Sequence, residues 1–364
     1  MKLNGFEYGY NKSGHPEIKH NIPHVETLYK YYGISEYSVK ALVNSYLYAS
    51  HPFDLNDVSD SSISLLHTEV NPRLEDYQTV LKQIPFVSNE SEINEIYTND
   101  SNGKLFLEHF YLKVTSQFGI ISLSNNQYSD LMWPHYTSEM GFQLEFDRVK
   151  LLRSIISRNK KSMVWLNPVN YSNERVVLNY NKIKDRPFGL AFLYMTNLKH
   201  VNWKYEEEWR IIVNNELMGV PFSKRGFSRL KDDNPVEPTN REIKYDFDCI
   251  ASITLGANFL THKYFDIKQE ENLRDELILR FQTRPDSKNN NHLFEWHNQF
   301  LNFLSTQLNL KIFHSEIIKM PLKGGAILKR VKRRVYINRI EGEEYLMRFT
   351  NKVYDENGLI DLSK

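Results

Sequence analysis

Apolar and polar residues alternate along this chain in short runs whose period switches several times between two and nearly four. Thr27-Leu-Tyr-Lys-Tyr-Tyr32 reads as a short aromatic strand stopped by Gly33. Ser35 is a fitting N-cap for a helix over about 36–44, with Val39, Leu42 and Val43 on one side. The stretch 46–50 predicts a second strand ending before Pro52, followed by the turn-rich Phe53-Asp-Leu-Asn56-Asp57. Residues 58–103 are mostly polar with amphipathic helical stretches, 74–84 among them, and 98–103 form a loop. Further on, the pattern predicts a helix over 105–114 and a strand over 118–124. A short turn or helix at 130–136 follows, then a strand over 141–146 and a helix over 149–156. Strand pieces at 163–166 and 169–171 precede a helix over 188–198 and a strand over 206–213.

A long polar loop over 218–240 separates these from a strand at 250–256, the last of its unit, after which Gly256-Ala-Asn opens a helix. The character changes at the linker-like 284–291. Beyond it, 292–308 carries Phe294, His297, Phe300 and Leu304 at helical spacing, and 322–340 carries a basic run and then Val335-Tyr-Ile. Short strands alternate with helices but without regular βαβ spacing. That predicts an α+β fold with a mixed, mostly antiparallel sheet flanked by helices and a small C-terminal extension. The expected organisation is an arm at 1–26, an α+β domain at 27–283 and a helix-and-strand extension at 284–364.

Composition narrows this picture without redirecting it. The chain has 364 residues, 41% of them apolar and 13% aromatic, enough for a sizeable core. A net charge of +1 gives no whole-chain signal for nucleic acid or membrane. Cys249, the single cysteine, rules out an internal disulfide and a multi-cysteine zinc site and reads as a small buried residue. The first residues lack a signal-peptide core, and no apolar run approaches the ~20 residues of a membrane span, so a cytoplasmic protein is expected.

The chain lacks the P-loop, Rossmann, nucleophile-elbow and H-E-x-x-H motifs. His15, His20 and His24 have no acid or cysteine at ligand spacing, and no metal is expected. Lys329, Arg330, Lys332, Arg333 and Arg334 would suit a phosphate backbone, or an edge strand whose charge prevents pairing. Trp133-Pro-His135-Tyr136 lies between two predicted strands, a place that presents polar atoms at a sheet end or packs them as core.

The most unusual stretch is Lys204-Tyr-Glu206-Glu207-Glu208-Trp209-Arg210, where three consecutive acids run into an apolar strand. In an extended chain Glu206, Glu208 and Arg210 share one face, and Glu207, Trp209 and Ile211 the other. This is either a solvated strand entry or a site with two carboxylates and a guanidinium.

Seven stretches occur in order: Leu28-Tyr-Lys-Tyr31, Leu47 to Asp57, Gly119 to Ser124, Met132-Trp-x-His135-Tyr136, Gly141-Phe142, Glu206-x-Glu208-Trp209-Arg210 and Leu255-Gly256. Together they resemble the bacterial domain of unknown function 2971 over roughly residues 27–260, with 58–103 as an insertion. More distantly, the order of strands and the Glu-x-Glu resembles the ADP-ribosyltransferase ground plan. That resemblance implies Lys30 as an NAD contact, although such enzymes usually carry Arg or His there. It implies Ser50 as the residue that orders the nicotinamide ribose, Glu208 as the catalytic acid and Glu206 as the preceding acid. Tyr31 and Tyr136 would stack on the bases, Arg210 would bind pyrophosphate or hold Glu208, and His135 would join the catalytic group. The function so implied is ADP-ribosyl transfer or NAD glycohydrolysis, with NAD as substrate and a protein or nucleic-acid acceptor, in a toxin or antiviral defence effector. Two other readings stay open: a nucleotide or nucleic-acid sensor using the basic run, and a magnesium nuclease using Asp54, Asp57, Glu206 and Glu208.

Overall fold

The computed structural model describes residues 1–57, 59–82, 89–182, 189–215, 218–219, 241–273, 276–284, 291–322 and 325–360. The polar stretches 220–240 and 285–290, read above as loop and linker, lie outside the described residues. The fold is α+β, with mostly antiparallel strands and flanking helices. It divides into two compact units, each assembled from three segments. The first comprises Met1–His24, Leu47–Leu123 and Ile156–Ile243, and the second Val25–Tyr46, Ser124–Ile155 and Lys244–Lys364. The expected contiguous boundaries, at 26/27 and 283/284, differ from this because strand pairing joins segments far apart in sequence.

In the first unit the expected N-terminal arm is a three-stranded antiparallel sheet of Lys2–Leu3, Phe6–Tyr10 and Pro16–Lys19. Alternate residues Phe6 and Tyr8 face inward and are buried, which gives these few residues a reason to fold. They join a core with Tyr77, Phe106, Phe110, Phe192 and Tyr194, supplied by helices Leu74–Leu81, Lys104–Ser116 and Gly189–Asn197. Strands Phe118–Ser124, Glu208–Asn214 and Met163–Pro168 lie side by side, the last two antiparallel. The helix Gly189–Asn197 is buried on nearly every side and runs directly into the short strand Leu198–His200. That strand pairs in parallel with Asn170–Ser172 and sets Lys199 opposite Tyr171.

The second unit is built on strands in the order Phe265–Leu273, Glu276–Thr283, Glu344–Asp355, Gly325–Arg339, Lys311–Leu322, Ile250–Leu255, Phe142–Asp147 and Thr27–Tyr32. Neighbours are antiparallel, except that Ile250–Leu255 and Lys311–Leu322 are parallel. The C-terminal residues are therefore integral to this unit rather than an extension of it. Ser35 caps the helix Glu36–Val43 through a capping box with Ser38. Cys249 is buried and free.

Two sequence expectations fail here. No helix opens at Gly256; a turn leads instead to the strand Phe265–Leu273. The glycine serves close approach, since a Cβ on it would come within 2.2 Å of the Glu139 carbonyl oxygen. Gly141 is confined in the same way, with the Tyr32 carbonyl oxygen 2.0 Å from where its Cβ would stand. The basic run is likewise not on an edge, because Gly325–Arg339 has a bonded strand on both sides. Among the described residues, no helix is long and apolar enough to cross a membrane.

Candidate functional site

The predicted strand 206–213 starts later than expected, at Glu208. Glu206 ends a 3-10 helix, Val201–Glu206, and Glu207 follows with a left-handed backbone, φ +44°. Strand alternation therefore does not bring Glu206 and Glu208 together, as the sequence suggested. The kink at Glu207 does so: it carries the Glu207 side chain outward to solvent while its two neighbours are buried. Trp209 is buried in the first unit, with the His20 and His24 rings 5.9 and 6.3 Å from its own.

Glu206 and Glu208 both bond one ammonium group. Lys199 Nζ lies 2.5 Å from Glu206 Oε2 and 2.9 Å from Glu208 Oε2, and 4.0 Å from Asp60 Oδ2. Arg210 is saturated: its Nε and one terminal nitrogen donate to Glu208, both terminal nitrogens donate to Asp60, and one also donates to the Thr196 carbonyl. A guanidinium has five N–H donors, and all five are used. The Glu208 amide donates to the Tyr171 hydroxyl at 2.8 Å.

Asp60, Lys199, Glu206, Glu208 and Arg210 are all buried. Formally, three carboxylates meet two cations and leave one surplus negative charge. Burial opposes ionisation of Glu208, but Arg210 and Lys199 outweigh it and hold the carboxyl well below the usual carboxylate range. Burial likewise opposes the charge on Lys199 and on Arg210, and their carboxylate neighbours raise both above their ordinary values. Burial, then the charge on Glu208, pushes the Tyr171 hydroxyl up.

Around this centre the side chains are half-buried. The Trp203 ring lies 5.0 Å from Lys199 Nζ, and Tyr205 is tilted against Trp203 at 6.1 Å. Asp57 accepts from the backbone and hydroxyl of Ser59, and Arg175 donates to the Ser59 carbonyl at 2.7 Å. Burial works to raise the Asp57 carboxyl, and the Ser59 bonds together with Arg175 and Lys199 bring it below its ordinary value. Such an arrangement can stabilise a cation, accept a proton and offer aromatic faces to a planar ring.

The other residues singled out from the sequence are placed as follows. Ser50 belongs to the first unit, where its backbone exchanges hydrogen bonds with Ile120 at 2.8 and 2.9 Å. Lys30, Tyr31, His135 and Tyr136 belong to the second. There Tyr31 is buried edge-on against Trp133, and its hydroxyl donates to the carbonyls of Asn126 and Gln127. Lys30 Nζ lies 5.7 Å from the Tyr32 ring, and the exposed His135 lies beside half-buried Tyr136 at 4.8 Å. The cluster thus gathers Glu206, Glu208 and Arg210 from the sequence reading and adds Asp60, Lys199 and Tyr171, which that reading missed. Asp60 sits in the stretch read as an insertion, and Lys199 follows an apolar helix without any motif. Neither carries a local signal.

In the second unit, four of the five cations of the basic run pair with carboxylates. Lys329 meets Asp355 and Glu356, Arg330 meets Asp130 and Glu139, Lys332 meets Glu145, and Arg333 meets Glu316. Arg334 donates to the Ile312 carbonyl and lies over the Tyr336 ring. Among the described residues, no three His, Cys, Asp or Glu side chains gather as a metal-binding set.

A family model described as a protein of unknown function (DUF2971) matches residues 132–211. The match supports that family and takes in Trp133 to Tyr136, Gly141-Phe142 and Glu206 to Arg210. It does not extend to the stretches around Lys30, Ser50, Gly119 and Gly256. Comparison with curated proteins and with solved structures returns no match.

Proposed function

We propose that the buried acidic cluster of the first unit is the centre of an enzyme that cleaves NAD at its nicotinamide–ribose bond, passing ADP-ribose to water or to an acceptor. One observation carries the reading: Glu206 and Glu208 are held side by side in a buried centre with one more carboxylate than cations. Breaking the glycosidic C–N bond sends its electron pair to the nicotinamide nitrogen, which neutralises the ring and leaves positive charge on the ribose. Carboxylates held beside the ribose favour that shift of positive charge from the nicotinamide ring onto the sugar. Glu208, the more constrained acid, is the group to face the ribose. Glu206 then takes the proton of the incoming nucleophile as the new bond to the ribose carbon forms. Trp203, over Lys199, and Tyr205 beside it offer aromatic faces for stacking a base. Arg210, with every donor occupied, is assigned to holding Glu208 and Asp60 rather than to pyrophosphate.

The test is NAD turnover by the purified chain, with and without candidate protein and nucleic-acid acceptors. Nicotinamide release is expected from the wild type. Glu208→Gln is expected to lower it by on the order of 10²–10³-fold while circular dichroism stays unchanged. If no nicotinamide is released and calorimetry detects no NAD binding, the reading is wrong.

A further inference from the structure

Lys199 stands at the centre of the cluster without a role in the chemistry just assigned. It comes from a short strand that the sequence did not single out, yet its ammonium group bonds both Glu206 and Glu208. Charged and titratable groups face it from several elements, the Tyr205 hydroxyl of the 3-10 helix among them. The segment before helix Leu74–Leu81 supplies Asp60 and, beyond it, Asp57. The 3-10 helix supplies Glu206 and the Trp203 ring, the strand Glu208–Asn214 supplies Glu208 and Arg210, and the paired strand supplies Tyr171 opposite it. Arg210 gives its donors to Asp60, Glu208 and the Thr196 carbonyl, and it is the Lys199 ammonium that bonds Glu206.

We propose that Lys199 is the positioning residue of this site. Its single ammonium group, clamped between Glu206 and Glu208, keeps two adjacent buried carboxylates ionised together and lets each act separately. Without it, two like charges in a buried centre would relax by sharing a proton, and one of the two would no longer serve as a base. The catalytic part of this inference rests on the NAD reading, whereas the charge state it describes is a property of the free protein.

The experiment therefore has one arm without substrate. Urea unfolding of wild type, Lys199→Met and Lys199→Arg is measured at pH 5 and pH 7. A carboxyl whose folded value is raised loses stabilising effect as pH rises above its unfolded value, so the sign is definite. Lys199→Met is expected to have a lower urea midpoint at pH 7 than at pH 5, while wild type and Lys199→Arg show no such drop. Adding Glu206→Gln to Lys199→Met removes the second carboxylate and is expected to abolish the difference. This double variant decides the matter if the single one does not fold. An equal loss at both pH values, or a double variant that is unfolded or as pH-sensitive as the single one, overturns the proposal.

The second arm is the pH profile of nicotinamide release. In Lys199→Met the acid limb moves toward neutral, with about a tenfold fall in rate per pH unit along it; Lys199→Arg restores the wild-type profile. An unmoved acid limb overturns the proposal as well. Absence of nicotinamide release in the wild type overturns the NAD reading and leaves the first arm intact.

Discussion

Each of the two units has a buried arginine bonded to two acids, and they differ in where those acids lie. Arg210 and its partner Asp60 have side chains each only 2% exposed. Arg330 is 4% exposed, but its partner Asp130 is 76% exposed and Glu139 18%. Water can solvate the acids around Arg330 if the arginine leaves. Those around Arg210 are buried and take most of their compensation from Arg210 and Lys199. The lysines repeat the contrast. Lys199 stands between two buried acids and is raised above its ordinary value. Lys332 has Glu145 at 3.2 Å, and burial wins, so that it is lowered. A closed charge cluster of this kind is an expensive way to join strands. That expense is why the proposed chemistry is placed in the first unit.

The largest expected effect is on the arginines themselves. Arg210→Met should destabilise the protein by about 3–5 kcal/mol, because it strands two buried carboxylates. Arg330→Met should cost roughly 1–2 kcal/mol, because its acids regain water. Urea denaturation of the two variants measures both, and equal losses would erase the distinction between the units. Next in size is the pair of aspartates. Asp60→Asn should cost about 2–3 kcal/mol, and Asp130→Asn less than ~1 kcal/mol, by the same measurement.

The smallest effect is the pH dependence. Glu208 is depressed, so its contribution is present above the ordinary carboxylate value of about 4.3 and is lost as pH falls below it. Lys199 is raised, so its contribution is present below about 10.4 and is lost as pH rises above it. Lys332 is lowered and works the other way, improving stability as pH climbs toward the ordinary lysine value. Unfolding followed from pH 3 to 11 should show a plateau whose alkaline fall is removed by Lys199→Met and not by Lys332→Met.

Local pattern identified several elements at their true bounds. The strands Thr27–Tyr32 and Phe118–Ser124 agree residue for residue, and the helix Glu36–Val43 with its Ser35 cap is nearly as close. These are elements whose apolar period and end signals lie within a few residues of one another. The failures share a cause. Gly256 looked like a helix start, but its role is to let the Glu139 carbonyl approach, a contact with a residue far back in the chain. The cations at 329–334 suited a phosphate backbone or a charged edge strand, because the acids that pair with them lie at positions 130, 139, 145, 316, 355 and 356.

The candidate site divides along the same line. The sequence by itself marked Glu206, Glu208 and Arg210, because three acids before an apolar strand are conspicuous at short range. It determined the α+β class too, since that follows from how short strands and helices alternate. Only the tertiary structure decided that Glu207 turns out while its neighbours turn in, that Arg210 has no donor to spare, and that Asp60 and Lys199 complete the cluster. Residues 60, 199 and 208 meet because a buried helix delivers Lys199 to a parallel strand pair and a polar segment folds back onto it. Charge acts through space and strengthens as water is excluded, and neither the distance nor the exclusion is written in the order of residues.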